Sequence, residues 1–175
     1  MKKKMTGIML LAALFSAVSA QAADNLQFRG NLVIPNCTIN NNQPVEIDWG
    51  DVEIQEIKHT SINPKLHKSK DIDIVCPYGY GKPRMKISGV SGQFNNDTLA
   101  TSKIDEGLII ILGYGDSFDV RKKITLNTEQ EVEGFSLSSG RGVVRLQASL
   151  MNTKPIENLT PGEFTAGAAM EFRYQ

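Results

Sequence analysis

The chain has 175 residues, of which 41% are apolar, 22% charged and 7% aromatic, and this length predicts one compact domain. Nineteen Lys and Arg residues balance nineteen Asp and Glu residues, so the chain lacks the basic excess that nucleic-acid binding requires. Fifteen Gly and seven Pro residues are scattered between short β-branched runs, which favours many short strands over long helices.

The N-terminus has the three-part layout of a secretory signal peptide. Residues 1–22 open with three lysines, continue through an apolar stretch from Ile8 to Val18 and end in small residues. A transmembrane helix needs roughly 20 apolar residues, about twice this stretch, so we expect cleavage rather than anchoring. The mature chain then begins at Ala23, or alternatively at Asp24, and carries 16 basic and 19 acidic residues, a net charge of −3.

The chain contains two cysteines, Cys37 and Cys76. An even number of cysteines in an exported protein predicts a disulfide. Closing a loop of about 40 residues stabilises the folded state by roughly 4 kcal/mol in the chain-entropy model. We therefore expect a bond that supplies a large share of the stability of a small domain.

Apolar and polar residues alternate through most of the mature chain, which is typical of strands with one buried face. Strands are predicted around Ile72 to Cys76, Met85 to Ile87, Leu108 to Leu112, Val132 to Leu137 and Val144 to Leu150. Turns rich in Gly, Pro and Ser separate them. Seven or so strands in about 150 residues indicate a β-sandwich, and residues 54–70 are expected to hold a helical turn or a long loop.

The two ends of the mature chain alternate most regularly. At the C-terminus, a turn at Thr160 to Gly162 precedes a predicted strand that runs from Phe164 to Tyr174 with a continuous apolar face. At the N-terminus, the segment from Leu26 to Ile34 alternates in the same way. The first residues of a mature chain are normally frayed and polar unless something holds them, so this N-terminal strand needs an explanation.

Two interpretations of the N-terminal segment stay open on its pattern alone. It is either a first strand that pairs within its own domain, or a detachable strand for a groove on another molecule. Burying its four large apolar side chains yields on the order of 6–12 kcal/mol before ordering costs. In the second interpretation, Gly30 fits where the receiving groove is too shallow for a side chain.

Several motifs, in this order and spacing, resemble those of chaperone–usher pilus subunits, most of all the minor tip-fibrillum pilins of P-type pili. They are NLQFRGNL at residues 25–32, IPNCT at 34–38, VEIDWGDVEI at 45–54 and CPY at 76–78. The C-terminus adds PGEF at 161–164, with Gly162 fourteenth from the end, and a penultimate Tyr174. The resemblance spans the whole mature chain.

This resemblance implies an all-β fold, an incomplete immunoglobulin-like sandwich (pilin fold) that lacks its last strand and leaves an apolar groove beside the C-terminal strand. Residues 1–22 would form the signal peptide, residues 23–35 an N-terminal donor-strand extension and residues 36–175 the pilin domain. Strand addition of this kind completes one subunit with a segment of another. The implied partners are a periplasmic pilus chaperone, an outer-membrane usher and neighbouring subunits, either copies of this chain or other pilins. The implied location is an extracellular fimbrium, reached through the periplasm.

The resemblance also assigns roles to individual residues. The donor strand would consist of Leu26, Phe28, Gly30, Leu32 and Ile34, with Gly30 aligned to the family's glycine. The acceptor groove and chaperone site would consist of Gly162, Phe164, Ala166, Ala168, Met170, Phe172, Tyr174 and Gln175, whose free carboxylate would anchor the chaperone. A Cys37–Cys76 disulfide would tie together the first two strands of the sandwich.

The sequence offers little for catalysis or metal binding. His59 and His67 lie eight residues apart, whereas a zinc site needs three or four ligands. No serine has the strand–Gly-x-Ser-x-Gly–helix context of a hydrolase, and Asp71 and Asp73 are best explained as a solvated rim. We expect no enzymatic activity, no metal, no cofactor, no nucleic-acid partner and no small-molecule substrate.

A carbohydrate-binding adhesin is a second hypothesis, because Trp49, Tyr78 and Tyr80 would suit a sugar-stacking platform. Aromatic residues in a sandwich more often belong to the core. Family adhesins also carry an extra receptor-binding domain, for which about 150 mature residues leave no room. The sequence therefore favours a structural minor tip-fibrillum pilin, with an adaptor subunit, a rod subunit or a glycan-binding adhesin as alternatives.

Overall fold

The computed structural model describes residues 26–77, 79–92, 97–117, 119 and 122–174. These residues form strands and short 3-10 turns and contain no α-helix. The strands are β1 (Thr38–Ile39), β2 (His67–Val75), β3 (Pro83–Gly89), β4 (Leu99–Ala100), β5 (Leu108–Tyr114), β6 (Gln130–Glu131), β7 (Arg141–Asn152) and β8 (Ala168–Tyr174). The 3-10 turns are Asn40–Asn42, Ile54–Glu56, Pro64–Leu66, Ile104–Glu106 and Ile156–Asn158.

The strands form two antiparallel sheets whose apolar faces share one core. One sheet has the order β1-β2-β7-β5-β4 and the other the order β6-β3-β8. Alternation places Ile72 and Ile74 of the first sheet and Phe172 of the second in that core, each at most 1% exposed. This is the all-β sandwich that the alternating pattern predicts.

Strand β5 is apolar at nearly every position because both of its faces are covered. Leu108, Ile110 and Leu112 face the main core. Ile109 and Ile111 face the other side, where they form a second cluster with Met151 that is covered by Ile62 and Ile104. The predicted strand-sized apolar run is therefore confirmed as a fully buried central strand.

Cys37 and Cys76 form the predicted disulfide. It joins the residue before β1 to the residue after β2, where Thr38 pairs with Val75. The backbone N–H of Cys37 also donates to the carbonyl oxygen of Phe172 at 2.8 Å. The disulfide therefore fixes the chain at the point where the residue before β1, a strand of the first sheet, is hydrogen-bonded to β8, the last strand of the second sheet.

The predicted N-terminal strand is absent from the structure of the single chain. Residues 26–37 carry no strand or helix assignment. A strand is defined by hydrogen bonds to a neighbouring strand, so apolar alternation alone does not make one.

Of two further predicted strands, the C-terminal one is shorter than expected and the one from Val132 to Leu137 is wrong. The C-terminal strand begins at Ala168 rather than Phe164, and the backbone of Thr165 is instead hydrogen-bonded in both directions to Ser102. Between Val132 and Leu137 the chain forms a turn, in which Gly134 has φ +78°. Their apolar residues still pack on the core, which explains the strand-like pattern.

The chain divides into two units, one ending at Leu32 and one beginning at Val33, and each is described by itself. The predicted signal peptide (residues 1–22), Tyr78 and Gln175 lie outside the described residues. Within the described ranges, no helix has the length and apolar character that crossing a membrane demands.

Candidate strand-binding groove

Strand β8 has one largely open edge. On one side it pairs with β3 along its whole length, from Gly89↔Ala168 to Pro83↔Tyr174. On the other side, the backbone bond found among the described residues is the one from Cys37 to Phe172. Because the backbone groups of alternate residues point to the same side, those of Ala168 and Met170 share the open side with Phe172. Such an edge is a template for another strand.

The core-facing side of β8 and of the residues before it is incompletely covered. Phe172 and Tyr174 are buried, Met170 is half-buried, and Ala168 and Ala166 are exposed. All five share the same alternating face. The sandwich therefore lacks cover over the part of its core that lies next to the open edge.

The opposite wall is an extended segment, residues 44–52, which we call the facing wall. It follows the turn Asn40–Asn42, in which all three asparagines have φ between 46° and 62°, a left-handed conformation that asparagine tolerates well. Val45, Ile47 and Trp49 are half-buried against the core, and the segment carries no strand assignment. It has the pattern of a strand without a partner on its outer side.

A cavity of about 180 Å³ lies between β8 and the facing wall. Its floor is apolar and consists of core residues of both sheets: Ile72, Ile87, Leu99, Ile110, Leu112, Leu146 and Ala148. A second, wider cavity of about 960 Å³ continues along the facing wall toward Pro161 and Gly162. We call these two cavities together the groove.

Two aromatic residues of the groove lie close to each other. Trp49 of the facing wall lies 6.1 Å from Phe164, between ring centroids. The indole N–H of Trp49 donates to the carbonyl oxygen of Leu66 at 2.8 Å, which fixes its orientation. Trp49 contributes to both cavities, whereas Phe164 belongs to the wider one.

A polar cluster holds the turn at the wide end of the groove. Lys103 Nζ donates to the carbonyl oxygen of Thr160 at 2.9 Å, and the backbone N–H of Thr160 donates to Glu106 Oε2 at 2.7 Å. The hydrogen bonds from Thr160 and Lys103 lower the pKa of the Glu106 carboxyl. Gly162 has φ +132°, which other residues adopt only with strain, so the backbone explains why glycine stands there.

The N-terminal segment, residues 23–35, which we call the arm, is described from Leu26 onward. The side chains of Leu26 and Phe28 are 73% and 90% exposed, and Leu32 is fully exposed. Ile34 is 50% exposed. Clusters of exposed large apolar side chains mark interaction sites, so the arm has the surface of a segment made for a partner.

The proposed carbohydrate platform is not assembled by the described aromatic residues. Trp49 packs on Phe164 inside the groove, whereas Tyr80 is 80% exposed, and Tyr78 lies outside the described residues. Trp49 is thereby explained as a groove residue.

The two histidines and Asp71, one of the paired carboxylates, are bonded to neighbouring side chains and backbone groups of the fold. His67 hydrogen-bonds Ser149 Oγ through Nδ1 at 2.8 Å and also contacts Gln147, whereas His59 bonds the carbonyl oxygen of Thr153. Arg145 donates two hydrogen bonds to Asp71, at 2.6 and 2.9 Å, and thereby lowers the pKa of the Asp71 carboxyl. Asp71 is thus one half of a surface ion pair on the sheet.

Sequence reasoning missed the facing wall as part of the site. The sequence predicted a resemblance to pilin motifs there and, for Trp49, a place in a sugar-stacking platform, although Val45, Ile47 and Trp49 alternate with acidic residues. That alternation was a usable signal, since it predicts a strand with one buried face.

Comparisons with known proteins agree with this geometry. A family model described as "Fimbrial protein" matches residues 26–175. The fimbrial protein PrsE of Escherichia coli is 30% identical, over 98% of this chain and 99% of its own length. The minor fimbrial protein PrsF of Escherichia coli is 28% identical, over 95% of this chain and 96% of its own length.

A solved structure of the P pilus adaptor subunit PapF superimposes with a TM-score of 0.55 at 25% identity, covering 83% of this chain and 100% of that one. The sandwich described above is therefore the pilin fold, and the protein has a structural rather than a catalytic role. Because fimbriae are surface fibres, the protein is exported and extracellular. The chain belongs to the fimbrial protein family and is a structural subunit of a P-type pilus.

Proposed function

We propose that this chain is a minor tip-fibrillum pilin that polymerises by donor-strand exchange. The arm of one subunit enters the groove of the next, and the groove of the first receives the arm of another. Before assembly a periplasmic chaperone occupies the groove, anchored by the carboxylate of Gln175, and delivers the subunit to an outer-membrane usher. Similarity to a minor fimbrial protein supports the position in the fibre.

The exposure of Ala166 and Ala168 carries this proposal. Both lie on the core-facing side beside an edge whose backbone groups, at Ala168 and Met170, face outward. One added strand would cover the core with its side chains and satisfy that edge with its backbone. A small ligand would cover the core but would leave the backbone groups of the edge without partners.

The arm has the pattern that such a strand needs. From Leu26 to Ile34 its apolar residues other than Val33 occupy every second position and would point to the groove floor. Gly30 is the middle one, and a residue without a side chain suits a place where the receiving groove is too shallow for a side chain. A Cβ at Gly30 meets nothing within 4 Å in the single chain, so the need for glycine arises in the assembled state.

The experiment that tests this function is displacement of a chaperone by a peptide. The subunit is co-purified with a periplasmic pilus chaperone and mixed with a synthetic peptide of residues 24–35. We expect the peptide to replace the chaperone and to change the fluorescence of Trp49, which is the only tryptophan of the chain. A peptide that neither releases the chaperone nor alters the fluorescence would overturn the proposal.

Replacing Gly30 tests the donor role separately from the acceptor role. We expect Gly30→Leu to abolish donation by the arm, because a groove too shallow for a side chain at this position cannot take the added leucine, and to leave acceptance of a wild-type peptide unchanged. Polymer length on native gels measures donation, and Trp49 fluorescence measures acceptance. The matched control is Asn31→Leu, which places the same leucine side chain on the opposite face and is expected to polymerise; unchanged polymers with Gly30→Leu would remove this residue from the mechanism.

An adaptor between two different subunits is the second candidate, because the match to the adaptor PapF covers all of that solved chain. A tip-fibrillum pilin forms chains of its own copies, whereas an adaptor joins unlike subunits. Mixing purified, chaperone-released copies of this chain separates the two: long homopolymers indicate the pilin and their absence the adaptor.

A further inference from the structure

We propose that Glu46 and Asp48 select the strand that enters the groove by its charge, and that the strand they fit is the arm of a second copy of this chain, through Arg29. This inference rests on the proposed function, since it specifies which strand the groove accepts.

The two carboxylates lie along the rim of the groove. They alternate with Val45, Ile47 and Trp49, whose side chains turn toward the core, so Glu46 and Asp48 are on the outward face and are exposed. Neither forms an ion pair with any described residue. Asp48 Oδ1 accepts the backbone N–H of Gly50 at 2.8 Å, which leaves its negative charge uncompensated.

Among the described residues, the other rim of the groove supplies no unpaired positive charge. Of the outward positions along it, Thr165, Gly167 and Ala169 are exposed and neutral and Glu171 is an exposed carboxylate, whereas Arg173 is bonded to Glu129, and Lys103, which lines the wider cavity, to Glu106. Glu163, at the wide end, adds another exposed carboxylate. A strand between the two rims would therefore place its own outward side chains in an acidic surrounding. Opposite side chains on paired strands lie about 4.5–5.5 Å apart, and diagonal ones about 7–8 Å, within reach of long side chains.

The outward face of the arm carries the matching charge. When its apolar residues face the groove floor, Gln27, Arg29, Asn31 and Val33 face outward. Arg29 is exposed, it is the one charged residue between residues 26 and 34, and it lies near the middle of the arm. A guanidinium group presents several donors in a fork and can bridge neighbouring carboxylates, so it suits a rim with Glu46 and Asp48 two positions apart.

The same geometry predicts which strands are refused. An acidic residue at the position of Arg29 would face Glu46 and Asp48, and like charges opposite each other on paired strands are destabilising. Exposed pairs are screened by salt, so the selection acts mostly on the rate of association at low ionic strength.

The test compares three peptides of residues 24–35, namely the native sequence, Arg29→Gln and Arg29→Glu, as displacers of the chaperone from the purified chaperone–subunit complex. At low salt we expect displacement to slow by about 3-fold for Arg29→Gln and about 10-fold for Arg29→Glu, and the differences to shrink at high salt. A subunit with Glu46→Lys and Asp48→Lys is expected to reverse the order. Asp73→Lys is the control, because Asp73 is an exposed carboxylate on β2, away from the groove.

The outcomes separate this inference from the function on which it rests. Equal rates for the three peptides, or an order that the double substitution does not reverse, would overturn the charge selection while leaving strand acceptance intact. Failure of all three peptides to enter the groove would overturn strand acceptance itself. A reversal that also occurs with Asp73→Lys would show that net charge, not the rim, decides, and would likewise overturn the inference.

Discussion

Without a strand in its groove, the mature chain is expected to aggregate and to melt without a cooperative transition. A peptide of residues 24–35 is expected to restore both solubility and a sharp melt. The reason is that Ala166, Ala168 and the floor beneath them lack cover, whereas burying the four large side chains of the arm yields on the order of 6–12 kcal/mol before ordering costs. That range is comparable with the whole stability of a small domain. Circular dichroism during heating measures the transition.

The control for this experiment is a peptide of the same composition in which apolar residues no longer alternate. It has the same total hydrophobicity but cannot direct all its apolar side chains to one face, so we expect no rescue. A mature chain that is monomeric, soluble and cooperative without any peptide would contradict the account.

Loss of the disulfide is expected to be the second-largest effect. Cys37 and Cys76 are 39 residues apart, and removing such a cross-link costs about 4 kcal/mol through the greater freedom of the unfolded chain. The bond also lies where Cys37 donates to Phe172, so its loss loosens one end of the groove. We expect the double variant Cys37→Ala, Cys76→Ala, complexed with the peptide, to unfold at a markedly lower denaturant concentration.

A reduced but otherwise unchanged subunit is the matched comparison, because it lacks the bond and keeps both side chains. If the reduced protein and the double variant both unfold at the denaturant concentration of the oxidised protein, the cross-link contributes nothing and the prediction is wrong.

Much of the sandwich could be predicted from local patterns. Ile72 and Ile74 in β2, Met85 and Ile87 in β3, and the long strand β7 alternate as strands with one covered face do, and the two cysteines of an exported chain indicated their own pairing. These features are decided by neighbours in the sequence and by which side faces the core.

The features that escaped prediction depend on distant partners. The arm alternates like a strand but carries no strand assignment from residue 26 onward, because alternation describes a face and not a hydrogen-bonded neighbour. Thr165 leaves the predicted C-terminal strand because it bonds to Ser102, 63 residues earlier. The facing wall at Val45 to Trp49 becomes a site only because β8 stands opposite with an open edge, which no local pattern reports.

Hydrogen exchange at the amides of Ala168 and Met170 tests the central claim most directly. Both amides point to the open edge, and an incoming strand would bond them. The account predicts that they exchange rapidly in the chain without peptide, become protected when the peptide of residues 24–35 binds, and stay unprotected with the Gly30→Leu peptide. Protection of both amides in a peptide-free monomer would mean that the chain completes its own sheet, and would contradict the account.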